Sequence, residues 1–347
     1  MSSSRNRSNA AHIIPDCAAS LQTHGWQQAL AEAFTDLPSL LSHLGLDLSI
    51  SQEQRLASRQ FAMRVPRGFA DLMQPGDPHD PLLRQILPLG DEMALSAGFS
   101  QNPVGDREAE TTPGLLHKYH GRVLVVATGA CAVHCRYCFR RHYPYAEGSA
   151  SPRQWSGILD YLKAHPDIEE VILSGGDPLM VSDERLAGWL QQLAALPRLK
   201  RLRLHTRLPV VLPQRVTRAL VELLATSRMR CLVVIHANHP NELSPQVAEA
   251  LGMLKAAGIH LLNQSVLLRG VNDNADTLVR LSERLFEVGV MPYYLHLLDR
   301  VAGAAHFEVD ASLAQSLQRA LLARLPGYLV PKLVREIAAE RFKTPVV

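Results

Sequence analysis

Over the second two-thirds of the chain, two hydrophobic spacings take turns. Apolar runs rich in Val, Ile and Leu fall at residues 122–128 (RVLVVAT), 169–176 (EEVILSGG), 199–207 (LKRLRLHTR), 230–238 (RCLVVIHAN), 260–269 (HLLNQSVLLR) and 291–299 (MPYYLHLLD). These predict strands. After them, apolar residues recur at helical spacing, as in SDERLAGWLQQLAAL, QRVTRALVELLATS and NADTLVRLSERLFEVG. Ser182 with Glu184, and Asn274 with Asp276, supply helix-start signals. Most strand starts lie about 30 residues apart, the length of a βα unit with its crossover helix. The first interval is longer, and a cysteine-bearing segment fills the excess.

Six such units over residues 122–325 predict an α/β fold: an incomplete parallel (β/α)6 barrel, two units short of the eightfold form and open at the side. A doubly wound sheet is the competing architecture, but no GxGxxG follows the first strand. In both, ligands belong at the carboxyl ends of the strands. Residues 1–121 read differently. WQQALAEAFTDLPSLLSHL and QRLASRQFAMRV have helical patterning, and MQPGDPHDPLLRQILPLGD is broken by prolines, so a helical N-terminal extension packed on the barrel is expected. Residues 326–347 form a short C-terminal segment.

Composition narrows the class. With 347 residues, 47% of them hydrophobic, the chain can bury a sizeable core. A net charge of +3 is too small to argue for a nucleic-acid or membrane surface. The polar start MSSSRNRSNAAH lacks the apolar stretch of a secretory signal, and no run approaches the roughly 18 apolar residues of a membrane span. Three of the five cysteines cluster, while Cys17 and Cys231 stand alone. That is no disulfide framework, and a reduced cytoplasm is the expected compartment.

The clustered cysteines lie in GACAVHCRYCFRRH, residues 129–142, where Cys131, Cys135 and Cys138 form C-x3-C-x2-C and His142 follows four residues on. Three chemistries compete. Three cysteines and His142 would complete a zinc site. Cys135 and Cys138 form a C-x-x-C redox pair, though without a thioredoxin-like context. Alternatively, three thiolates hold three irons of a 4Fe-4S cluster and leave the fourth for an outside ligand. Position favours chemistry over a staple. The cysteines directly follow the first strand, and SGGDP (Ser174 to Pro178) directly follows the second, so both sit on the functional face.

This loop resembles the signature of the radical S-adenosylmethionine superfamily, in which S-adenosyl-L-methionine chelates the open iron. The blocks PGLLHKYHGRVLVVATGACAVHCRYCFRR, VILSGGDPL, LHTRLPVVLPQRVT, HPNEL, LNQSVLLRGVND and KTPV, spread over about two-thirds of the chain, together resemble the lysine 2,3-aminomutase family. That family moves an α-amino group to the β-carbon using pyridoxal 5'-phosphate inside a radical barrel. The resemblance implies an isomerase acting on L-lysine, with Cys131, Cys135 and Cys138 on the cluster. Ser174, Gly175, Gly176, Asp177 and Gln264 would face S-adenosylmethionine. Lys343, in KTPV, would be the Schiff-base lysine, and Lys118 and Arg122 would meet the phosphate. Arg140 would take the substrate carboxylate, with Arg136 and Arg141 as equally cationic neighbours. Asp299 and Glu336 would receive the far ammonium.

Departures from the family pattern add two expectations. Asn274 stands where relatives of the clostridial type place a zinc cysteine, so no zinc is expected. AAERF replaces the glycine run before Lys343, so the loop carrying that lysine is expected to be held differently. The branch most resembled makes (R)-β-lysine for elongation factor P, implying a functional link to that factor and its lysyl ligase. The rival functions are a radical aminomutase for another amino acid such as arginine, and a non-catalytic zinc or iron–sulfur interaction module.

Overall fold

The strand periodicity is realised as a single sheet ordered as the sequence is. In the computed structural model, which describes residues 25–347 except 48 and 147, ten strands pair in chain order. Cys17 lies outside the described residues. The strands are β1 (Glu110–Thr112), β2 (Leu115–Tyr119), β3 (Arg122–Thr128), β4 (Glu170–Gly175), β5 (Arg201–Thr206), β6 (Arg230–Ile235), β7 (His260–Val266), β8 (Met291–His296), β9 (Lys332–Arg335) and β10 (Thr344–Pro345). Pairing is parallel from β3 to β9 and antiparallel at the two ends. No pair joins β1 to β10 among the described residues, so the barrel stays open.

All six expected strands are present, and three features go beyond the periodicity. Residues 110–119, in the stretch expected to be helical, form β1 and β2. The C-terminal segment supplies β9, a seventh parallel strand, and β10 turns back on it with Thr344 opposite Arg335 and Pro345 opposite Val334. Strands of two to five residues bury too little for a repeating pattern to form. Neighbouring edges order them instead.

The helices are α1 (Trp26–Ala31), α2 (Leu37–His43), α3 (Gln52–Gln60), α4 (Arg67–Ala70), α5 (Pro81–Arg84), α6 (Pro152–Ala164), α7 (Asp183–Ala194), α8 (Leu208–Val211), α9 (Arg218–Ala225), α10 (Pro245–Ala256), α11 (Ala275–Glu287) and α12 (Ala311–Arg324). Ser182 caps α7 by accepting from the Arg185 amide, and Asn274 caps α11 by accepting from Thr277 at 2.9 Å. Each such cap is worth about 1 kcal/mol. β4 is buried along its whole length, and Trp155 of α6 stacks on Trp189 of α7 with ring centroids 4.6 Å apart. Leu40, Phe69, Leu82, Leu83 and Ile86 from the N-terminal helices join the same apolar core. No helix among the described residues is long and apolar enough to cross a membrane.

The N-terminal segment also grips the cysteine loop through charge. Glu92 receives Arg136 at both oxygens, 2.8 Å and 2.6 Å, and Arg141 at 2.7 Å. Arg136 donates further to the carbonyls of Phe61 and Ala57. All three side chains are buried. Removing the carboxylate leaves two buried guanidinium groups without their counter-ion, which costs about 3–5 kcal/mol. Glu92→Ala should therefore lower the urea midpoint sharply, and an unchanged midpoint would contradict this account of the grip.

Candidate active site

At the carboxyl ends of the parallel strands lies a cavity of about 470 Å³. Its wall includes the three cysteines, Ser174 to Asp177, Lys118, Arg122, Arg140, Gln264, Asp299, Glu336 and Lys343, but neither His142 nor Arg136. Residues more than 220 positions apart meet because the open barrel brings both chain ends to one mouth.

The loop after β3 carries the thiols. Cys131, Cys135 and Cys138 are free and partly buried. Burial, together with the neighbouring sulfurs, pushes Cys131 well up and Cys138 to about 11. Each sulfur opposes a charge on its neighbours, and Arg64, Arg140 and Arg141 offset this only in part. His142 does not line the cavity; its Nε2 donates to the Ala302 carbonyl at 3.1 Å. Among the described residues no three Cys, His, Asp or Glu side chains converge as ligands of one metal ion. A 4Fe-4S cube takes each thiolate on a different iron, so its ligands need no common focus, and the three thiols fit that donor set.

The two glycines of SGGDP serve the cysteine loop itself. Gly175 has φ +115°, and a Cβ there would sit 2.7 Å from the Thr128 carbonyl oxygen. At Gly176 a Cβ would run into the Ala130 carbonyl. Only glycine lets the ends of β3 and β4 close to this distance. The Gly176 and Asp177 amides then donate to Thr128 and Ala130 at 2.7 Å and 2.9 Å. Asp177, lifted to about 6 by burial, accepts from Thr206 and from the amides of Leu179, Arg207 and Leu208. Its carboxylate pins β4 to β5, and all its observed bonds point into the protein.

Across the cavity runs a chain of alternating charges. Arg140 donates through Nε to Asp106 at 2.6 Å, and Asp106 meets Lys118 at 2.6 Å. Lys118 meets Glu336 at 3.0 Å, and Glu336 meets Lys343 at 2.5 Å. Strand register makes the last contact: with Thr344 opposite Arg335, Lys343 and Glu336 flank the β9–β10 pair side by side. In the intervening turn Ala339 adopts φ 67°, a left-handed conformation that a glycine takes without strain. Burial opposes the charge on Glu336, yet the ammonium groups of Lys343 and Lys118 hold its carboxyl well below the usual range. Asp299 is the contrast. Burial, and then Glu336, push it up to about 7, and its Oδ1 is buried without a hydrogen-bond partner.

The three candidate arginines now separate. Arg136 and Arg141 are committed to Glu92, whereas Arg140 uses Nε on Asp106 and Nη1 on Ser174, leaving Nη2 without a protein partner among the described residues. Lys118 donates to Glu336 at 3.0 Å and to the Val104 carbonyl at 2.8 Å, and it ion-pairs with Asp106, whose Oδ1 accepts no hydrogen bond among the described residues. Arg122 has no ion pair among the described residues and lies over the Tyr119 ring at 4.7 Å, which leaves its guanidinium open to an anionic group. Gln264 donates to His236 Nε2 at 2.8 Å, and burial drops His236 to about 3, so that ring is neutral.

Sequence reasoning passed over Asp106, Arg207 and the histidines His205, His236 and His296. The histidines had a usable signal: each lies at the carboxyl end of a parallel strand and lines the cavity. Asp106 had none, because it precedes the sheet in an irregular segment.

The Radical SAM superfamily pattern matches residues 125–281. The L-lysine 2,3-aminomutase of Escherichia coli (strain K12) is 52% identical over 325 residues, spanning 92% of this chain and 94% of that protein. The chain belongs to the lysine 2,3-aminomutase family. A second member, from Haemophilus influenzae, is 46% identical across 96% of this chain and 98% of its own length. That of Clostridium subterminale is 34% identical, with 87% of this chain matching 73% of it. In lysine 2,3-aminomutases as in this chain, the enzyme is an isomerase of radical S-adenosylmethionine type.

The glycine contacts make one prediction for this family member. Gly176→Ala forces the Ala130 carbonyl and the cysteine loop apart, at a cost of about 1–3 kcal/mol. The variant should keep its far-UV circular dichroism yet take up much less iron on reconstitution. Full iron loading would show that the close approach does not position the thiols.

Proposed function

We propose that this chain converts L-lysine to β-lysine, using a 4Fe-4S cluster on Cys131, Cys135 and Cys138, S-adenosylmethionine, and pyridoxal phosphate on Lys343. The carrying observation is the opposed character of two groups that face one cavity without a hydrogen-bond partner among the described residues: Nη2 of Arg140 and Oδ1 of Asp299. A diamino acid presents a carboxylate to the first and a terminal ammonium to the second. Arginine as substrate would put a planar guanidinium on the acids, and no second observation favours it.

When bound, the cluster and S-adenosylmethionine supply a radical that takes a β-hydrogen, and pyridoxal phosphate carries the migrating amino group. This chain's residues bind and orient. Arg140 holds the carboxylate through a charge-assisted bond, fixed from behind by Asp106 and Ser174. Glu336 pairs with Lys343 through Oε2 and, with Asp299, would face the substrate's terminal ammonium. Arg122 is the cation for the phosphate. Lys118, which lies between the Asp106 and Glu336 carboxylates, would add a second cation to the phosphate site. Ser174, Gly175, Gly176, Asp177 and Gln264 form the wall beside the thiols, where S-adenosylmethionine would lie. Holding both ends of the substrate is what turns a reactive radical to one hydrogen.

The product's expected hand is R, for attachment to elongation factor P by its lysyl ligase, in the reducing cytoplasm. Resemblance of the sequence blocks to that branch supports this, as does Asn274, which serves as a helix cap at the position of a zinc cysteine.

The test is anaerobic. Protein reconstituted with iron, sulfide and pyridoxal phosphate receives reductant, S-adenosylmethionine and L-lysine, and β-lysine is resolved by chiral chromatography. S-adenosylmethionine-dependent β-lysine of the R form is expected. Formation of 5′-deoxyadenosine without β-lysine would overturn lysine as the substrate. Lys343→Ala should keep its iron and lose both the bound-cofactor absorption and turnover; retained absorption would remove Lys343 from that role.

A further inference from the structure

Behind Cys135, on the side away from the charge chain, lies a second buried polar cluster built around Arg207. Arg207 follows β5 directly and is 5% exposed. Its Nη1 donates to Cys135 Sγ at 2.7 Å and to the Tyr137 hydroxyl at 2.9 Å. Its Nη2 donates to Gln85 Oε1 at 2.7 Å and Glu242 Oε2 at 2.9 Å. Glu242 is completely buried, and its other oxygen receives Gln85 and the amides of Asn238 and His239. Tyr137 is held in turn by Asn238 at 2.7 Å. The guanidinium is thus locked in place with one hand on its counter-ion and the other on a cysteine sulfur. No guanidinium donates to the sulfur of Cys131 or Cys138 among the described residues; Arg64 reaches only the Cys131 carbonyl, at 3.4 Å.

Structural need alone does not account for this arrangement. A buried Arg–Glu pair is roughly neutral for stability compared with apolar packing. A thiol sulfur is also a poor acceptor, and it becomes a good one only as a thiolate. The geometry is therefore matched to an anionic sulfur. Hydrogen bonds to the sulfurs and nearby charge are what set the potential of an iron–sulfur cluster, because they favour the state with the extra electron.

We propose that Arg207 is a positioning residue that raises the reduction potential of the cluster by donating a charge-assisted hydrogen bond to Cys135 Sγ. Glu242, Gln85 and Tyr137 fix the angle of that bond. The step it governs is a one-electron reduction by an external low-potential donor, with no bond made or broken in the protein. The inference rests on the cluster assignment made above.

The test is an anaerobic redox titration of the reconstituted holoenzyme with dithionite, following the electron paramagnetic resonance signal of the reduced cluster. Arg207→Met should shift the midpoint to a more negative potential at unchanged iron and sulfide content, and Arg207→Lys should recover part of the shift. The Arg207→Met/Glu242→Gln pair removes both buried charges together, so it guards against a fold failure from leaving Glu242 unpaired, and should show a smaller negative shift because a nearby carboxylate is lost with the cation. A midpoint unmoved in fully loaded Arg207→Met overturns the inference while leaving the cluster reading intact. Wild-type protein that takes up zinc and no iron or sulfide would instead overturn the cluster reading, and the inference with it.

Discussion

The site depends on one run of alternating charge, buried at Arg140 and Asp106 and half-buried at Lys118, Glu336 and Lys343, each in contact with the next. Taking five charges out of water would be prohibitive singly, and alternation makes it possible because each carboxylate lies between two cations. The run has one more cation than anion. Arg122, with no ion pair among the described residues, adds another. Such a surplus suits a cavity that must accept a phosphate and a carboxylate. Asp299 stays apart, held up to about 7 by burial and by Glu336, so near neutral pH its charge responds to whether a cation lies beside it.

The fold delivers these groups from three places. The loop after β3 brings Arg136, Arg140 and Arg141 together with the thiols; the β9–β10 turn brings Glu336 and Lys343; and the segment before β1 brings their partners. Glu92 takes Arg136 and Arg141, Asp106 takes Arg140, and Gln85 takes Arg207. The N-terminal segment therefore does more than cover the barrel. It supplies acceptors for four arginines, and among the described residues leaves the Nη2 of Arg140 facing the cavity.

Legibility followed burial and repetition. The six βα units repeat, and apolar runs long enough to fill a strand could be read at 122–128 or 230–238 without a structure. The C-x3-C-x2-C spacing and the KTPV ending carried the chemistry by resemblance. What escaped were contacts without local pattern. β9 and β10 are four and two residues long, so neither has a period. Asp106 is an acid in an irregular segment, distinguishable from Asp91 or Glu108 only once Arg140 is seen against it. Arg207 looks like the end of a strand until Cys135 comes within 2.7 Å. The choice among Arg136, Arg140 and Arg141 was likewise invisible, because it turns on which of them Glu92 has already taken.

The central claim is that the cavity reads both ends of a diamino acid, with the acids at Asp299 and Glu336 answering the far ammonium. The most direct measurement compares kcat/KM for L-lysine with that for L-norleucine, which has the same chain without the terminal amine. A buried acid pair left without its cation disfavours the analogue heavily, so lysine should be preferred by about a thousandfold or more. Turnover of norleucine within a few-fold of lysine would contradict the account and remove the acids from substrate recognition.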